Sequence, residues 1–130
     1  MRKKETLRGR DVFSRLYATG RRADGELIRC LFLLENASEV KLLAGFAVPR
    51  RTCSAARRNR LRRLMREAFR QEREALFGML SGSSCSASIL FVFRGKREVP
   101  VERVKLSSVR ADIATLCSVV ISKLSSRSCP

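Results

Sequence analysis

The sequence predicts an α+β fold, a single domain in which helices pack on a small mixed sheet. The prediction rests on the order of two hydrophobic patterns. Segments with apolar residues every three or four positions are typical of helices, and short, nearly continuous apolar runs are typical of buried strands. In chain order they predict helix, strand, strand, helix, strand and helix, with room for one extra short strand. A chain of 130 residues with 45% apolar content suits one domain with a modest core.

The first third of the chain predicts one helix followed by two strands. Residues 11–19 carry apolar side chains on one helical face, and Gly20 can end that helix. Residues 26–34 and 40–48 are apolar runs of strand length. The polar segment between them, residues 35–39, predicts a hairpin connection, so we expect these two strands to be neighbours.

The central segment predicts a long basic helix. Ser54 can accept a hydrogen bond from the first turn and so begin the helix. Helical spacing continues to about Leu76, and Gly78 is the predicted end. The following residues 81–88 are rich in serine, which by composition predicts a flexible linker.

Two further elements complete the predicted fold. Residues 89–93 are a short apolar run, which predicts a buried strand. Residues 101–124 carry apolar side chains at steps of three and four, which predicts a final helix. We expect a basic arm at residues 1–9 and a loose tail at residues 125–130.

The charge balance limits the choice of partners. The chain has 28 lysines and arginines against 12 aspartates and glutamates, for a net charge of +16. Such an excess favours nucleic acid as a partner first and an anionic membrane surface second. No apolar run approaches the roughly 20 residues of a membrane-spanning helix, and the basic N-terminus leads into no apolar segment of a secretory signal. We therefore expect a cytoplasmic protein that binds no membrane.

The positive charge is concentrated on one side of the predicted central helix, since ten arginines lie between Arg50 and Arg73. One arc of this helix is apolar and can bury against a core; its members are Leu61, Leu64, Met65, Ala68, Phe69 and Leu76. The opposite arc, called here the arginine face, consists of Asn59, Arg62, Arg63, Arg66, Arg70 and Arg73. Like charges three or four residues apart repel, so this face indicates a polyanionic partner. A guanidinium group binds phosphates and base edges and stacks on bases, which makes the arginine face a candidate nucleic-acid surface.

The residue types on which enzymes usually rely are missing or scattered. There is no histidine, so neither a Ser-His nor a Cys-His nucleophilic pair can form. The five cysteines are irregularly spaced, which predicts free thiols rather than a zinc site or a disulfide framework. Asp11, Asp24 and Asp112 are isolated in sequence, so we expect capping or surface roles and no metal held by the protein.

The segment 45–70, GFAVPRRTCSAARRNRLRRLMREAFR, resembles the bacterial ribonuclease P protein family. In that family a glycine-led strand ends in two basic residues, and a basic helix with an Arg-Asn-Arg core follows. That core is found here in Arg58, Asn59 and Arg60. The resemblance extends over nearly the whole chain. The spacing of Phe13, Tyr17 and Gly20 resembles that of the family's first helix, and residues 89–94 resemble a later strand.

Two positions depart from the family pattern. The family usually has a Gly-Asn pair where this chain has Cys53 and Ser54, which predicts a different turn before the helix because cysteine tolerates positive φ poorly. The family often has a tyrosine on the substrate-facing side of its first strand, and Leu31 occupies that position here. Phe32 is one residue away and therefore lies on the opposite face of the strand.

The resemblance also implies a function. Ribonuclease P removes the 5′ leader from precursor tRNA, and its RNA subunit supplies the catalytic groups and holds the Mg²⁺ that activates water. The family's protein subunit binds this RNA, places the single-stranded leader in a cleft between its first helix and the sheet, and broadens the tolerance for substrates and Mg²⁺. The implied RNA-binding residues are Arg50, Arg51, Arg58, Asn59, Arg60, Arg62, Arg63, Arg66 and Arg70, and the implied leader-binding residues are Phe13, Tyr17 and Leu31. The family fold further implies a left-handed crossover through the basic helix, against the usual right-handed sense.

Other interpretations stay open from the residues alone. Their spacing favours core packing for Phe13 and Tyr17, and only the resemblance gives them a leader-binding role. A ribosome-associated protein or a general RNA chaperone would explain the charge equally well. A DNA-binding regulator is disfavoured because no second helix lies at helix-turn-helix spacing, and we expect no DNA partner. A stand-alone enzyme is disfavoured by the lack of catalytic groups.

Overall fold

The computed structural model describes residues 7, 9–95 and 99–127, the last three by their backbone alone. Its elements are α1 (Arg10–Thr19), β1 (Arg21–Asp24), β2 (Ile28–Asn36), β3 (Leu42–Ala47), α2 (Ala55–Gly82), β4 (Cys85–Phe93) and α3 (Leu106–Arg127), with a 3-10 turn at Val101–Arg103. This order confirms the predicted α+β class, with β1 as the extra short strand. Most of the predicted basic arm and the end of the predicted tail, including Cys129, lie outside the described residues. Within the described part of the chain, no helix is long and apolar enough to cross a membrane.

The four strands form one mixed sheet in the order β1-β2-β4-β3. β1 and β4 run antiparallel to β2, whereas β3 and β4 are parallel neighbours joined through α2. The predicted hairpin between β2 and β3 is wrong, because β4 lies between them. Ile89, Leu90 and Phe91 are consecutive and all buried, so both faces of the sheet must be covered at this strand. A central strand is covered in this way and has a neighbouring strand along each edge. The left-handed sense of the β3-α2-β4 connection stays a prediction.

α2 is longer than the sequence predicts. It continues through Gly78 to Gly82, and the fully buried Leu76 and Leu80 on either side of Gly78 hold the helix against the core. A glycine costs a helix only about 1 kcal/mol, which the burial of these two side chains exceeds. The chain then turns through Ser84, which has a positive φ of 49°.

The second half of the serine-rich segment is a strand rather than a linker. β4 begins at Cys85, where Cys85 and Ala87 are buried and alternate with Ser86 and Ser88 on the other face. The hydroxyl of Ser86 accepts the N–H of Lys41 at 2.8 Å and ties β4 to the start of β3. Residues 125–127 of the predicted tail are likewise helical and belong to α3. Composition was therefore misleading at both places.

α2 and α3 cover one face of the sheet and enclose the main core. The rings of Phe46, Phe69 and Phe91 meet there, with centroids 5.3–5.9 Å apart. Leu61 and Met65 of α2 are fully buried in the same core, as the apolar arc predicts. Burial of a side chain of this size stabilises the fold by about 1.5–3 kcal/mol. Because α2 gives its apolar arc to this core, the arginine face is directed away from it.

The other face of the sheet is covered by α1 and by Leu7. Leu16 of α1 packs with Leu31 and Leu90 in a second, smaller cluster that Leu7 joins. Gly20 follows α1, and a larger residue would not fit there, since a Cβ would lie 2.4 Å from the Leu16 carbonyl oxygen. Gly20 ends the helix as predicted, and its φ of −68° shows that it does so without a left-handed conformation. A helix as short as α1 covers only part of the sheet and leaves room beside it, toward β3.

Asp112 is a buried carboxylate at the turn between β1 and β2. It accepts the backbone N–H groups of Glu26, Leu27 and Ile28, each at 2.8 Å. Gly25 lets the turn approach this closely, because a Cβ there would lie 2.5 Å from a carboxylate oxygen. The expected capping or surface role of Asp112 is therefore wrong, and this side chain joins α3 to the β1–β2 turn.

Among the described residues, three buried cysteines lie in the main core, Cys30, Cys85 and Cys117. Burial raises the pKa of the Cys30 and Cys117 thiols, that of Cys117 to about 12, because a thiolate would lose its hydration there. The nearby charge of Glu72 adds to the rise at Cys117. Both are poor nucleophiles at neutral pH, since the thiolate is the reactive form. The free thiols of the described residues are Cys30, Cys53, Cys85 and Cys117.

The two raised pKa values predict a loss of stability at alkaline pH. In the unfolded chain both thiols titrate near pH 9.0, whereas the folded protein keeps them protonated to higher pH. Their contribution is therefore complete below the unfolded pKa and is lost as the pH rises from about 9 towards 12. In urea unfolding at a series of pH values, the free energy of unfolding should fall less steeply at alkaline pH in a Cys30→Ala, Cys117→Ala variant than in the parent protein. The cavities alone would lower stability equally at every pH, so an unchanged decline would contradict this assignment.

Candidate nucleic-acid interface

α2 presents the arginine face to solvent. Ser54 begins the helix as predicted, since its hydroxyl accepts the N–H of Arg57 at 3.4 Å. Because the buried residues of α2 lie on its other side, most of the arginine face is accessible. Its exposed members are Asn59, Arg63, Arg66 and Arg70, and its half-buried members are Arg62 and Arg73.

The side-chain contacts of the arginine face are weak enough for a phosphate to displace them. Arg62 donates to the side-chain oxygen of Asn59 at 2.7 Å, and Arg70 pairs with Glu67 at 3.1 Å. Exposed pairs of this kind on a helix contribute about 0.3–0.5 kcal/mol. An arriving phosphate can therefore replace them at little cost.

The two arginines of the Arg-Asn-Arg core bind the protein's own backbone. Arg58 donates through Nη1 to the carbonyl oxygens of Cys53 at 2.8 Å and Arg50 at 3.3 Å. Arg60 donates through Nη2 to the carbonyl of Val104 at 2.7 Å and fastens the segment before α3 to α2. The family resemblance implies that both bind RNA, but their geometry first gives them a structural role. Asn59, between them, faces outward.

The turn before α2 holds two exposed cations. Arg50 and Arg51 are both exposed, and Arg58 holds the carbonyl groups of the turn from the helix side. Cys53 is half-buried against the main core. In the described part of the chain the non-glycine residue with positive φ is Ser84, so Cys53 keeps an ordinary backbone conformation. This turn therefore needs no glycine.

A groove lies between α1 and the β3 edge of the sheet. This α1–β3 groove has a volume of about 470 Å³. Its lining includes Phe13 of α1, Gly45 and Ala47 of β3, and Arg66 of α2. Gly45 keeps the backbone close to its neighbours, because a Cβ there would lie 3.2 Å from Leu7. The groove thus brings an aromatic ring and a member of the arginine face together, which spacing along the chain could not reveal.

The predicted leader-binding residues differ in accessibility. Tyr17 is 65% exposed and lies one turn beyond Phe13 on the same side of α1, so it is not a core residue. Phe13 is half-buried in the groove. Leu31 lies on the predicted side of the sheet but is only 8% exposed under α1, which leaves little of it for a ligand. Phe32 is buried in the main core on the opposite face, as expected.

A second group of arginines surrounds Asp24 at the other edge of the sheet. Arg29 donates to this carboxylate at 2.7 Å, and Arg22 and Arg94 lie within 3.7–3.9 Å. The hydrogen bond from Arg29, and then the positive charges of all three arginines, hold the pKa of Asp24 below its usual value. Sequence reasoning missed this group, because Arg94 is far along the chain from Arg22 and Arg29 and the three arginines carry no common motif.

Nearly the whole chain matches one protein family. Residues 1–120 match the family model described as ribonuclease P. This chain belongs to the ribonuclease P protein family. It is similar to the ribonuclease P protein component of Chlorobium phaeobacteroides, with 33% identity over 113 aligned positions that cover 77% of this chain and 76% of the relative.

Solved ribonuclease P proteins share the fold. The protein from Thermotoga maritima is 28% identical with a TM-score of 0.66, and the match covers 87% of this chain and 94% of that one. The protein from Staphylococcus aureus is 15% identical with a TM-score of 0.67, over 91% of this chain and 96% of that one, which shows likeness of fold alone. Family membership makes this chain the RNA-binding protein component of ribonuclease P, the ribonucleoprotein that processes the 5′ end of tRNA. Its partner is the ribonuclease P RNA.

Proposed function

We propose that the chain holds two RNA molecules side by side, the ribonuclease P RNA on the arginine face and the 5′ leader of precursor tRNA in the α1–β3 groove. The position of Arg66 carries this proposal. Arg66 belongs to the arginine face and also lines the groove with Phe13. The two surfaces therefore meet at one side chain, and a strand lying in the groove would run directly beside the bound RNA subunit.

Charge gives the protein its main physical role in this proposal. An RNA enzyme and an RNA substrate repel each other, and a chain with a net charge of +16 placed between them offsets that repulsion. The protein then replaces part of the Mg²⁺ that would otherwise screen the phosphates. The proposed phosphate ligands with accessible side chains are Arg50, Arg51, Asn59, Arg63, Arg66 and Arg70, together with the half-buried Arg62.

The groove accounts for the choice of precursor over mature tRNA. Aromatic rings stack on bases of any kind, because every base has a π-face, which suits a leader of variable sequence. The exposure of Tyr17 and the place of Phe13 in the groove support this role. Mature tRNA has no leader and gains nothing from these contacts. The burial of Leu31 leads us to omit it from the leader contacts.

Arg58 and Arg60 act in this proposal as positioning residues that retain some capacity for RNA. Each guanidinium carries five N–H donors, and the backbone carbonyls occupy only part of them. Arg58 fixes the turn that carries Arg50 and Arg51, so its loss should misplace those two cations. The Arg-Asn-Arg core then shapes the interface as well as touching RNA.

Mg²⁺ belongs to the RNA subunit in this proposal. Among the residues that the structure describes, no group of three or more Asp, Glu, Cys or His side chains is placed to hold a metal ion. We assign neither a metal ligand nor a catalytic side chain to this chain. Its contribution to cleavage is binding and orientation of the two RNA molecules.

The alternative function is that of a general RNA-binding protein or chaperone. The two proposals differ in whether tRNA affinity depends on the 5′ leader. We expect reconstitution with a bacterial ribonuclease P RNA at low Mg²⁺ to give 5′ cleavage of precursor tRNA. In the reconstituted enzyme, Tyr17→Ala should weaken binding of precursor tRNA by roughly 5- to 150-fold, the value of one lost stacking contact. Affinity for mature tRNA should stay unchanged.

Tyr17→Phe is the matched control, because it keeps the ring and removes only the hydroxyl. It should retain most of the affinity for precursor tRNA. The melting temperature of Tyr17→Ala should stay close to that of the parent protein, since the side chain is exposed. Equal weakening of precursor and mature tRNA would contradict a leader contact and would favour the general RNA-binding alternative.

A further inference from the structure

We propose that one ridge of α2 continues the leader path beyond the α1–β3 groove and ends at Phe77, which serves as a stacking platform for an unpaired base of the outer leader. This inference rests on the proposed function, since the leader must first occupy the groove. It adds a contact for the part of the leader that lies farther from the cleavage site. We call this surface the Phe77 ridge, formed by Arg66, Arg70, Arg73 and Phe77.

The exposure of Phe77 is the first observation. In the described part of the chain, the large apolar or aromatic side chains exposed to solvent are Tyr17, Phe77 and Met79. Phe77 is 37% exposed near the end of α2, whereas its neighbours Leu76 and Leu80 are fully buried and already fix this part of the helix. The outward ring therefore offers a binding surface that the packing of the helix does not use.

The spacing of the ridge is the second observation. Steps of four, three and four residues place Arg66, Arg70, Arg73 and Phe77 on one side of α2. At about 1.5 Å per residue, the ridge extends about 16 Å along the helix. Its first member lines the α1–β3 groove together with Phe13, so the ridge begins where the groove opens onto α2.

The contact between Arg73 and Phe77 is the third observation. The guanidinium carbon of Arg73 lies 6.0 Å from the centroid of the Phe77 ring, within the range of a cation–π interaction. This contact orients the ring and places a positive charge beside it. A base stacked on Phe77 would thus have a cation close to its own phosphate, which is the arrangement that binds single strands without sequence preference.

These features fit a single strand better than folded RNA or a protein. The face of a base is accessible to a phenyl ring only where neighbouring bases do not cover it, as in an unpaired segment. The arginines of the ridge complement a phosphate backbone. Of the two RNA molecules in the proposed function, the leader is the single strand that leaves the groove at Arg66. We therefore assign the outer end of the ridge, Arg73 and Phe77, to the leader. Arg66 and Arg70 lie on the border that the leader shares with the ribonuclease P RNA.

The test uses the reconstituted holoenzyme and precursor tRNAs whose leaders are shortened one nucleotide at a time. Phe77→Ala should weaken binding of the longest precursors by roughly 5-fold or more. The effect should disappear as the leader is shortened, and at a longer leader length than the effect of Tyr17→Ala disappears. Phe77→Tyr should restore the affinity, because it keeps the ring. Met79→Ala removes an equally exposed apolar side chain on another side of α2 and should leave the affinity unchanged.

The outcomes separate this inference from the proposed function. If Tyr17→Ala acts only on precursors with leaders and Phe77→Ala has no effect at any length, the ridge is not part of the path. If Phe77→Ala weakens binding of the isolated RNA subunit equally, the ridge contacts that RNA instead. If it changes only the self-association of the protein in sedimentation, the ring belongs to a contact between two copies. A Tyr17→Ala effect that is independent of the leader would instead overturn the proposed function itself.

Discussion

Replacing Arg62, Arg66 and Arg70 with alanine should weaken binding of the ribonuclease P RNA and flatten the dependence of this binding on salt. Each phosphate contact releases counterions and adds about 0.9 to the slope of log affinity against log salt concentration. Loss of three contacts should lower that slope by roughly 3 units. Between about 50 and 200 mM salt, the variant should therefore lose roughly 40-fold less affinity than the parent protein.

The fold should survive this triple substitution, because the three side chains lie away from the buried side of α2. A matched control removes the same charge from exposed positions at α3, with Lys105→Ala, Arg110→Ala and Lys123→Ala. The control should keep the slope of the parent protein, since these residues make no proposed phosphate contact. Equal changes of slope in the two variants would show that the salt dependence follows net charge alone. That result would contradict the assignment of the arginine face to the RNA interface.

Patterns within one element could be predicted from the sequence, whereas contacts between distant elements could not. The apolar arc of α2 is buried as expected, because helical periodicity determines which side faces a core. The position of β4 was not predicted, since it depends on a strand some 40 residues later inserting between β2 and β3. Serine at alternate positions concealed the start of β4 at Cys85, because strand formation there depends on burial of the residues between the serines.

The same division applies to the candidate site. The charge and exposure of Arg63, Arg66 and Arg70 follow from their place on α2, so the sequence could predict them. The backbone contacts of Arg58 and Arg60 could not be predicted, because their carbonyl partners lie on loops whose course depends on the whole fold. Gly45 was prominent only through the family resemblance, and the structure adds its role in keeping the sheet close to Leu7.

Asp112 is a polar position at which one substitution should cost much stability. It is 7% exposed, and its two carboxylate oxygens satisfy three backbone N–H groups of the β1–β2 turn. A buried N–H group without a partner costs about 1–3 kcal/mol, and hydrogen bonds to a charged acceptor are stronger than neutral ones. The sequence offered one weak signal for this role, since Asp112 occurs next to Ile113 and three residues after Val109, two positions of the apolar repeat in α3.

We expect Asp112→Ala to lower the free energy of unfolding by about 3–5 kcal/mol in urea titrations, because all three N–H groups lose their acceptor. Asp112→Asn keeps one oxygen and should lose roughly half as much. Asp11→Ala, which removes an exposed carboxylate from the first turn of α1, should cost no more than about 1 kcal/mol. Hydrogen exchange should locate the effect, with faster exchange of the Leu27 and Ile28 amides in both Asp112 variants. A loss below about 1 kcal/mol in Asp112→Ala, with unchanged exchange at these amides, would show that water or another group replaces the carboxylate and that α3 does not depend on it to hold the turn.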